Sequence, residues 1–200
     1  MILIILSLFL IVGCNNSDVF ENSIIENIQR YRAEKDRTFK TSVNSPIPET
    51  HKDDFQGLSY FPIDLNYRFY ARLNQYENKT PFKMMTSTGV ERKALKYGYF
   101  KFEMDGEECI LQVYKVVDMN GKFSNSLFLP FLDATSGHET YPGGRYLDFR
   151  ENASGLYEIN FNLAYNPSCA YGKPEYSCPL PPQENRLDVA IRAGEKYSPY

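Results

Sequence analysis

The most constraining stretch of this chain is LKYGYFKFEMDGEECILQVYKVVDMNGKFSNSLFLPF, residues 95–131. It carries two turn dipeptides, Asp105 with Gly106 and Asn120 with Gly121. Two-residue type I′ turns need positive φ at both central positions, and Asp-Gly and Asn-Gly meet that demand best. The runs between them are rich in aromatic and β-branched residues. The stretch therefore predicts three consecutive antiparallel strands near residues 97–104, 107–117 and 123–131. The middle run is apolar on both faces, with Cys109, Leu111 and Val113 on one and Ile110 and Val116 on the other. A strand covered on both sides belongs inside a sandwich or beneath a helix.

The remaining chain extends the same pattern. In NYRFYARL, Tyr67, Phe69, Ala71 and Leu73 alternate with polar residues, which predicts a half-buried strand. PFKMMTSTG predicts a second strand. GRYLDFRE and LYEINFNLAY predict a hairpin through residues 152–155, with Tyr157, Ile159, Phe161 and Leu163 on one face and Glu158, Asn160 and Asn162 on the other. With 16 Tyr, 14 Phe and no Trp, the aromatic content favours strands. A single helix is expected over residues 18–36, where Phe20, Ile24, Ile28 and Tyr31 recur at helical spacing and Ser23 and Glu26 have capping-box spacing. The expected fold is mainly β: an antiparallel sandwich or partly open barrel, with one N-terminal α-helix packed on it, over residues 23–200. Hydrophobic residues at 42% exclude a disordered chain. A net charge of −3 gives no ground for nucleic-acid binding.

Residues 1–12 are uncharged and almost wholly apolar. A membrane-spanning helix needs about 20 such residues; this run fits the apolar region of a secretory signal instead. It ends on Ile11, Val12, Gly13 and Cys14, the pattern of a bacterial lipobox, although no basic residue precedes it. The expectation is a lipoprotein signal peptide over residues 1–13 and a lipidated Cys14 with a short tether over residues 14–22. The partner is then a membrane, held through lipid on Cys14, and the location the bacterial cell envelope.

Cys169 and Cys178 enclose eight residues, and a proline cluster follows. In an exported chain a disulfide is the default. Buried free thiols, or a metal or redox role, are the alternatives, but the spacing matches neither a zinc site nor a C-x-x-C pair. No metal or cofactor is expected. Cys109 is expected in the core.

Polar residues concentrate in FLDATSGHETYPGGRYLD, residues 131–148. Asp133, Thr135, Glu139, Thr140, Tyr141, Arg145 and Asp148, with Asn160 and Asn162 from the last strand, form the candidate ligand-binding set. Arg145 beside a carboxylate suits a bidentate pair or an anionic ligand, and paired carboxylates suit acid–base work. Pro142 with Gly143 suits the centre of a type II turn. His138 is read as a solvated loop residue. The stretch from Phe131 to Leu147 resembles the central signature of a bacterial and archaeal family known as domain of unknown function 1684. NFNLAYNPSCAY, residues 160–171, resembles its second signature, and GLSYFP, CPLPP, Glu184 with Asn185, and AGE at residues 193–195 match as well. The resemblance spans nearly the whole mature chain and implies no known activity; the lipid anchor is not part of the family pattern.

Three functions from different classes follow: a membrane-anchored module that binds a small polar or anionic ligand; a hydrolase-like enzyme using Asp133 or Glu139 with Arg145; and a structural or interaction lipoprotein without chemistry. The first two require Asp133, Glu139, Arg145 and Asp148 to converge with Asn160 or Asn162 in one concave site.

Overall fold

The structure, a computed structural model, describes residues 16–117, 123 and 125–198. Cys14, the apolar run before it, and the Asn120 with Gly121 turn lie outside the described residues. Helix α1 (Asn16–Thr41) and a one-turn helix α2 (Glu49–Lys52) precede six strands: β1 (Arg68–Met85), β2 (Glu91–Met104), β3 (Glu107–Val116), β4 (Ser126–Phe131), β5 (Arg145–Arg150) and β6 (Leu156–Asn160). All pairings are antiparallel, and the strand order is β5-β4-β3-β2-β1-β6. Consecutive strands β5 and β6 thus form opposite edges of one sheet, yet only residues 151–155 join them. A connection that short brings the two edges together, so the sheet curls into a nearly closed barrel. Barrel, rather than sandwich, is the architecture.

The first turn dipeptide behaves as its chemistry requires. Asp105 and Gly106 have φ of 53° and 80°, and Met104 pairs with Glu107 across the turn. The barrel interior is a single apolar cluster in which Phe100, Leu111, Val113, Leu127, Leu129 and Ile159 have no exposed surface. At the β1–β2 crossing the register slips between Gln75 and Thr80. Gly98 sits at this slip because a Cβ there would lie 2.5 Å from the Asn74 carbonyl oxygen.

Several expectations are corrected. The hairpin expected between residues 144–151 and 156–165 is not a ladder: β5 pairs with β4 and β6 with β1. Across the seam the described residues form one bridge, Tyr146 with Tyr165 (2.9 and 3.1 Å). The two strands expected at residues 66–73 and 81–89 are one strand, Arg68–Met85, carrying the register slip. Among the described residues, strand β3 is covered outside not by α1 or a second sheet but by a single 3-10 turn, Gln183–Asn185. Ile110 is exposed, while Gln112 and Tyr114 are buried beneath the chain around Glu184 and Asn185. Beyond the single Tyr114–Phe128 pair, β3 and β4 part. The Asn185 side chain enters the gap, accepting from Gln112 N (2.7 Å) and donating to the carbonyls of Gln112 (2.9 Å) and Pro130 (2.6 Å).

Helix α1 starts before the expected capping box, so Ser23 lies inside it and its hydroxyl donates to the Phe20 carbonyl (2.7 Å). Ile28 is buried as expected, but Phe20 and Tyr31 are 60% and 44% exposed. The helix docks largely through polar side chains instead. Arg32 donates to the carbonyls of Phe61 (2.8 Å) and Asn162 (3.2 Å), Asp36 accepts from Leu58 N (3.1 Å) and the Tyr60 hydroxyl (3.1 Å), and Lys35 pairs with Glu195. These partners lie on irregular chain, whose backbone groups need outside hydrogen bonds. Among the described residues no helix is long and apolar enough to cross a membrane.

Candidate functional site

Strand alternation sorts the central motif into two groups. On β5, Arg145, Leu147 and Phe149 point into the barrel, and Tyr146 and Asp148 point out of it. Inside, Arg145 and Asp133 are both about 1% exposed and meet at 2.9 Å. Asp133 Oδ1 also accepts from Thr135 N (3.2 Å), the Thr135 hydroxyl (2.7 Å) and the Ser136 hydroxyl (3.2 Å), while its Oδ2 accepts from Ile191 N (2.9 Å). Arg145 donates to the carbonyls of Ile191 (2.7 Å), Ala193 and Glu195 (3.3 Å), and the Phe131 ring stacks 5.2 Å from its guanidinium carbon. Burial lowers the Arg145 pKa, and Asp133 acts in the opposite direction. Thr140 joins through Thr135 (2.9 Å). The knot thereby holds residues 191–195 against the end of the barrel. Leu187, Val189, Ile191 and Ala193, along the chain that runs into this segment, alternate into the core as a plug.

The turn feeding Arg145 differs from the expected type. Gly144, not Gly143, takes the left-handed conformation (φ 83°) and donates to the Tyr141 carbonyl (3.0 Å). A Cβ on Gly144 would meet the Phe131 carbonyl at 2.6 Å.

The other predicted residues go elsewhere. Glu139 forms a surface pair with Arg192 (2.8 Å). Tyr141 packs edge-on against Tyr197 (5.2 Å). Asn160 accepts from Asn162 N (3.1 Å). Asn162 is tied to both backbone groups of Asp64 (3.0 and 2.7 Å). His138 is exposed. Asp133, Glu139, Arg145 and Asp148 therefore do not share one cleft. Neither the ligand site nor the hydrolase arrangement expected on that whole set is assembled, because Arg145 is sealed in the interior, its Nη1 and Nη2 engaged and its Nε buried without a partner.

Asp148 is the predicted residue that faces open space. A groove of about 370 Å³ runs along the outer wall of the barrel, between Phe128, Tyr146 and Asp148 on one side and Ser168, Tyr176 and Cys178 on the other. A second cavity of about 440 Å³ lies between Asp148, Tyr165 and the α1 residues Tyr31 and Lys35. A third, about 370 Å³, follows the β5–β6 seam from Asp148 and Tyr165 to Glu158 and Asn160. All three share Asp148 and Tyr165, and these volumes lie in the range of small-molecule sites. The Tyr165 hydroxyl donates to Asp148. Asp148 is open to solvent along the groove, but the surrounding walls strip enough water from it that desolvation raises its pKa, with the Tyr165 hydrogen bond opposing. The same pairing and burial push the Tyr165 pKa up. Tyr146 packs edge-on against Tyr165 (5.6 Å) and Phe128 (4.7 Å), forming an aromatic wall.

The far wall is fixed by the cysteines. Cys169 and Cys178 form a disulfide, with Cα atoms 6.1 Å apart. Cys178 exchanges backbone and side-chain bonds with Ser87, and the Tyr146 hydroxyl donates to the Pro179 carbonyl. Cys109 is a buried free thiol whose pKa burial raises. Sequence reasoning missed Tyr31, Tyr146, Tyr165 and Tyr176. The alternation of β5, which puts Tyr146 and Asp148 on one face, was a signal for Tyr146; nothing local marks Tyr31, Tyr165 or Tyr176.

The family described as "Protein of unknown function (DUF1684)" matches residues 53–196. No curated protein is significantly similar to the chain. Among solved structures, the solution NMR structure of an uncharacterized protein of Haloarcula marismortui is 38% identical, with a TM-score of 0.68 over 90% of this chain and 97% of that one.

Proposed function

The chain belongs to the DUF1684 family, proteins of unknown function, and from that premise we propose that it is a small-molecule binding module whose ligand sits in the groove around Asp148 and Tyr165. The observation that carries this reading is the convergence of three cavities on one carboxylate and one tyrosine. The ligand is polar rather than anionic, since Asp148 would repel an anion and Arg145, the residue expected to attract one, is buried in an internal pair. The module is tethered to a membrane of the bacterial envelope through lipid on Cys14. That part of the proposal rests on the apolar run and the Gly13–Cys14 boundary.

A thermal-shift screen against polar metabolites and envelope sugars tests the binding reading. A ligand at 100 times its Kd raises stability by about 2.7 kcal/mol. The expected result is a hit that Asp148→Asn weakens without lowering the unfolding temperature of the ligand-free protein. A hit indifferent to Asp148 and Tyr165 substitutions argues against the groove. For the tether, Cys14→Ala should move the protein from the membrane to the soluble fraction; a variant that still sediments with membranes contradicts lipidation. The raised Asp148 carboxyl also favours a second reading, in which it acts as a proton donor to a bound substrate. Product analysis of any hit after incubation separates turnover from simple binding.

A further inference from the structure

The charges around the groove define its ligand more narrowly. Two other acidic side chains line the three cavities, and both are matched to a base: Glu34 to Arg37 (2.5 Å) and Glu158 to Arg68 (2.7 Å). Asp148 has no basic partner among the described residues; its hydrogen bond comes from the neutral Tyr165 hydroxyl. The two basic side chains along the cavities are engaged elsewhere. Lys35 pairs with Glu195, and Arg92 donates to the Ser177 carbonyl (2.8 Å). Neither makes an ion pair or hydrogen bond with the Asp148 carboxylate, whose hydrogen bond comes from Tyr165. A carboxylate therefore stands in an aromatic-walled cavity with its charge unanswered.

The rings supply the rest of a cation site. Tyr146, Tyr165 and Phe128 form a continuous wall beside Asp148, and Tyr31 and Tyr176 stand across from it. Ring faces attract cations, most strongly where water is excluded. Tyr165 already does so, with the Lys35 ammonium 4.8 Å from its ring centre. A metal ion does not suit the site, because hard cations need several oxygen ligands and no group of three or more His, Cys, Asp or Glu side chains with metal-binding geometry occurs among the described residues. An alkylated ammonium does suit it, since such an ion needs one counter-charge and apolar ring contacts rather than a full oxygen shell.

We propose that the groove binds an organic ammonium group, with the cation against Asp148 and its alkyl substituents on the faces of Tyr146 and Tyr165. This rests on the groove being the ligand site, and it names the class of ligand.

Isothermal titration of the full chain with choline, glycine betaine and 3,3-dimethylbutanol, the neutral isostere of choline, tests it. Choline or glycine betaine should bind at least tenfold more tightly than the neutral isostere. Asp148→Asn, which keeps an acceptor for Tyr165, should remove at least tenfold of that affinity without lowering its unfolding temperature. A Tyr176→Leu variant should also weaken the cation, and it touches neither Asp148 nor the barrel interior. Equal binding of choline and its neutral isostere overturns the ammonium inference and leaves the groove as a site. A polar hit from the screen that depends on Asp148, with neither ammonium compound binding, does the same. Absence of any ligand dependent on Asp148 overturns both.

Discussion

Asp133 and Asp148 come from one polar motif, and the barrel uses them in opposite ways. Asp133 is buried, faces a guanidinium and accepts from two backbone amides and two hydroxyls as well. Asp148 stands outside the sheet, accepts from one tyrosine and borders three cavities. The first has no acceptor capacity left for a ligand, and its loss would leave charges and amides unmatched in the interior. The second can gain a partner without breaking anything. Density of polar residues in a sequence therefore marks two different things. Where a buried carboxylate is saturated, as Asp133 is, it marks a device that closes the fold; where a charge stays unmatched beside open space, it marks a place for something else to bind.

The contrast predicts a ranking of substitutions. The largest effect belongs to Arg145→Met, which strands Asp133 in the interior; loss of one partner of a buried pair costs about 3–5 kcal/mol, read by urea unfolding. Asp148→Asn should change stability by less than about 1 kcal/mol in the same assay. Similar losses for both would break the comparison. Next comes Asn185→Ala, which leaves the Gln112 amide and the carbonyls of Gln112 and Pro130 without their partner. Buried groups left unpaired cost about 1–3 kcal/mol each, so a total near 3 kcal/mol is expected, and a loss below about 1 kcal/mol would mean water fills the gap. Reducing the Cys169–Cys178 disulfide should cost at most about 2.5 kcal/mol in the chain-entropy view, because Ser87 and Tyr146 still hold the loop. It should also weaken ligand binding, since Cys178 lines the groove.

The smallest effect is a pH dependence, and its sign follows from the raised Asp148 pKa. Between the unfolded aspartate value of about 3.9 and the higher folded value, the native state holds the proton more tightly than the unfolded chain. Asp148 therefore subtracts stability as pH rises through that window. Wild type minus Asp148→Asn, measured by unfolding at pH 3 and pH 7, should show the variant gaining on wild type at pH 7. A gain at pH 3 that vanishes at pH 7 would reverse the assignment.

Much of the barrel was legible because local chemistry decided it. Asp105 with Gly106 admits little but a tight hairpin, and the alternation of residues 66–73 puts the right side chains inside. The pairing of β5 was not legible. The short connection to β6, residues 151–155, reads as the hairpin against the longer one from β4, residues 132–144, and only closure of the sheet decides that β5 joins β4 and leaves a seam against β6. The helix stripe was misread for a related reason: Arg32 and Asp36 dock on loop backbone and Lys35 on the Glu195 carboxylate, and such polar contacts carry no hydrophobic period. At the candidate site, Asp148 was within reach of strand alternation. Tyr31, Tyr165 and Tyr176 were not, because three separate segments bring them to it. The knot around Arg145 was read as an open site because a sequence shows the polar residues and not that Arg145 and Asp133 are buried against each other.

The most direct test of the account is a map of amide chemical-shift changes on adding the tightest ligand from the screen. The account predicts that the changes cluster in residues 146–149, 165–168 and 176–179, the walls that meet at Asp148. Changes confined to residues 133–141 and 191–195 would contradict it and return the binding site to the Asp133–Arg145 knot.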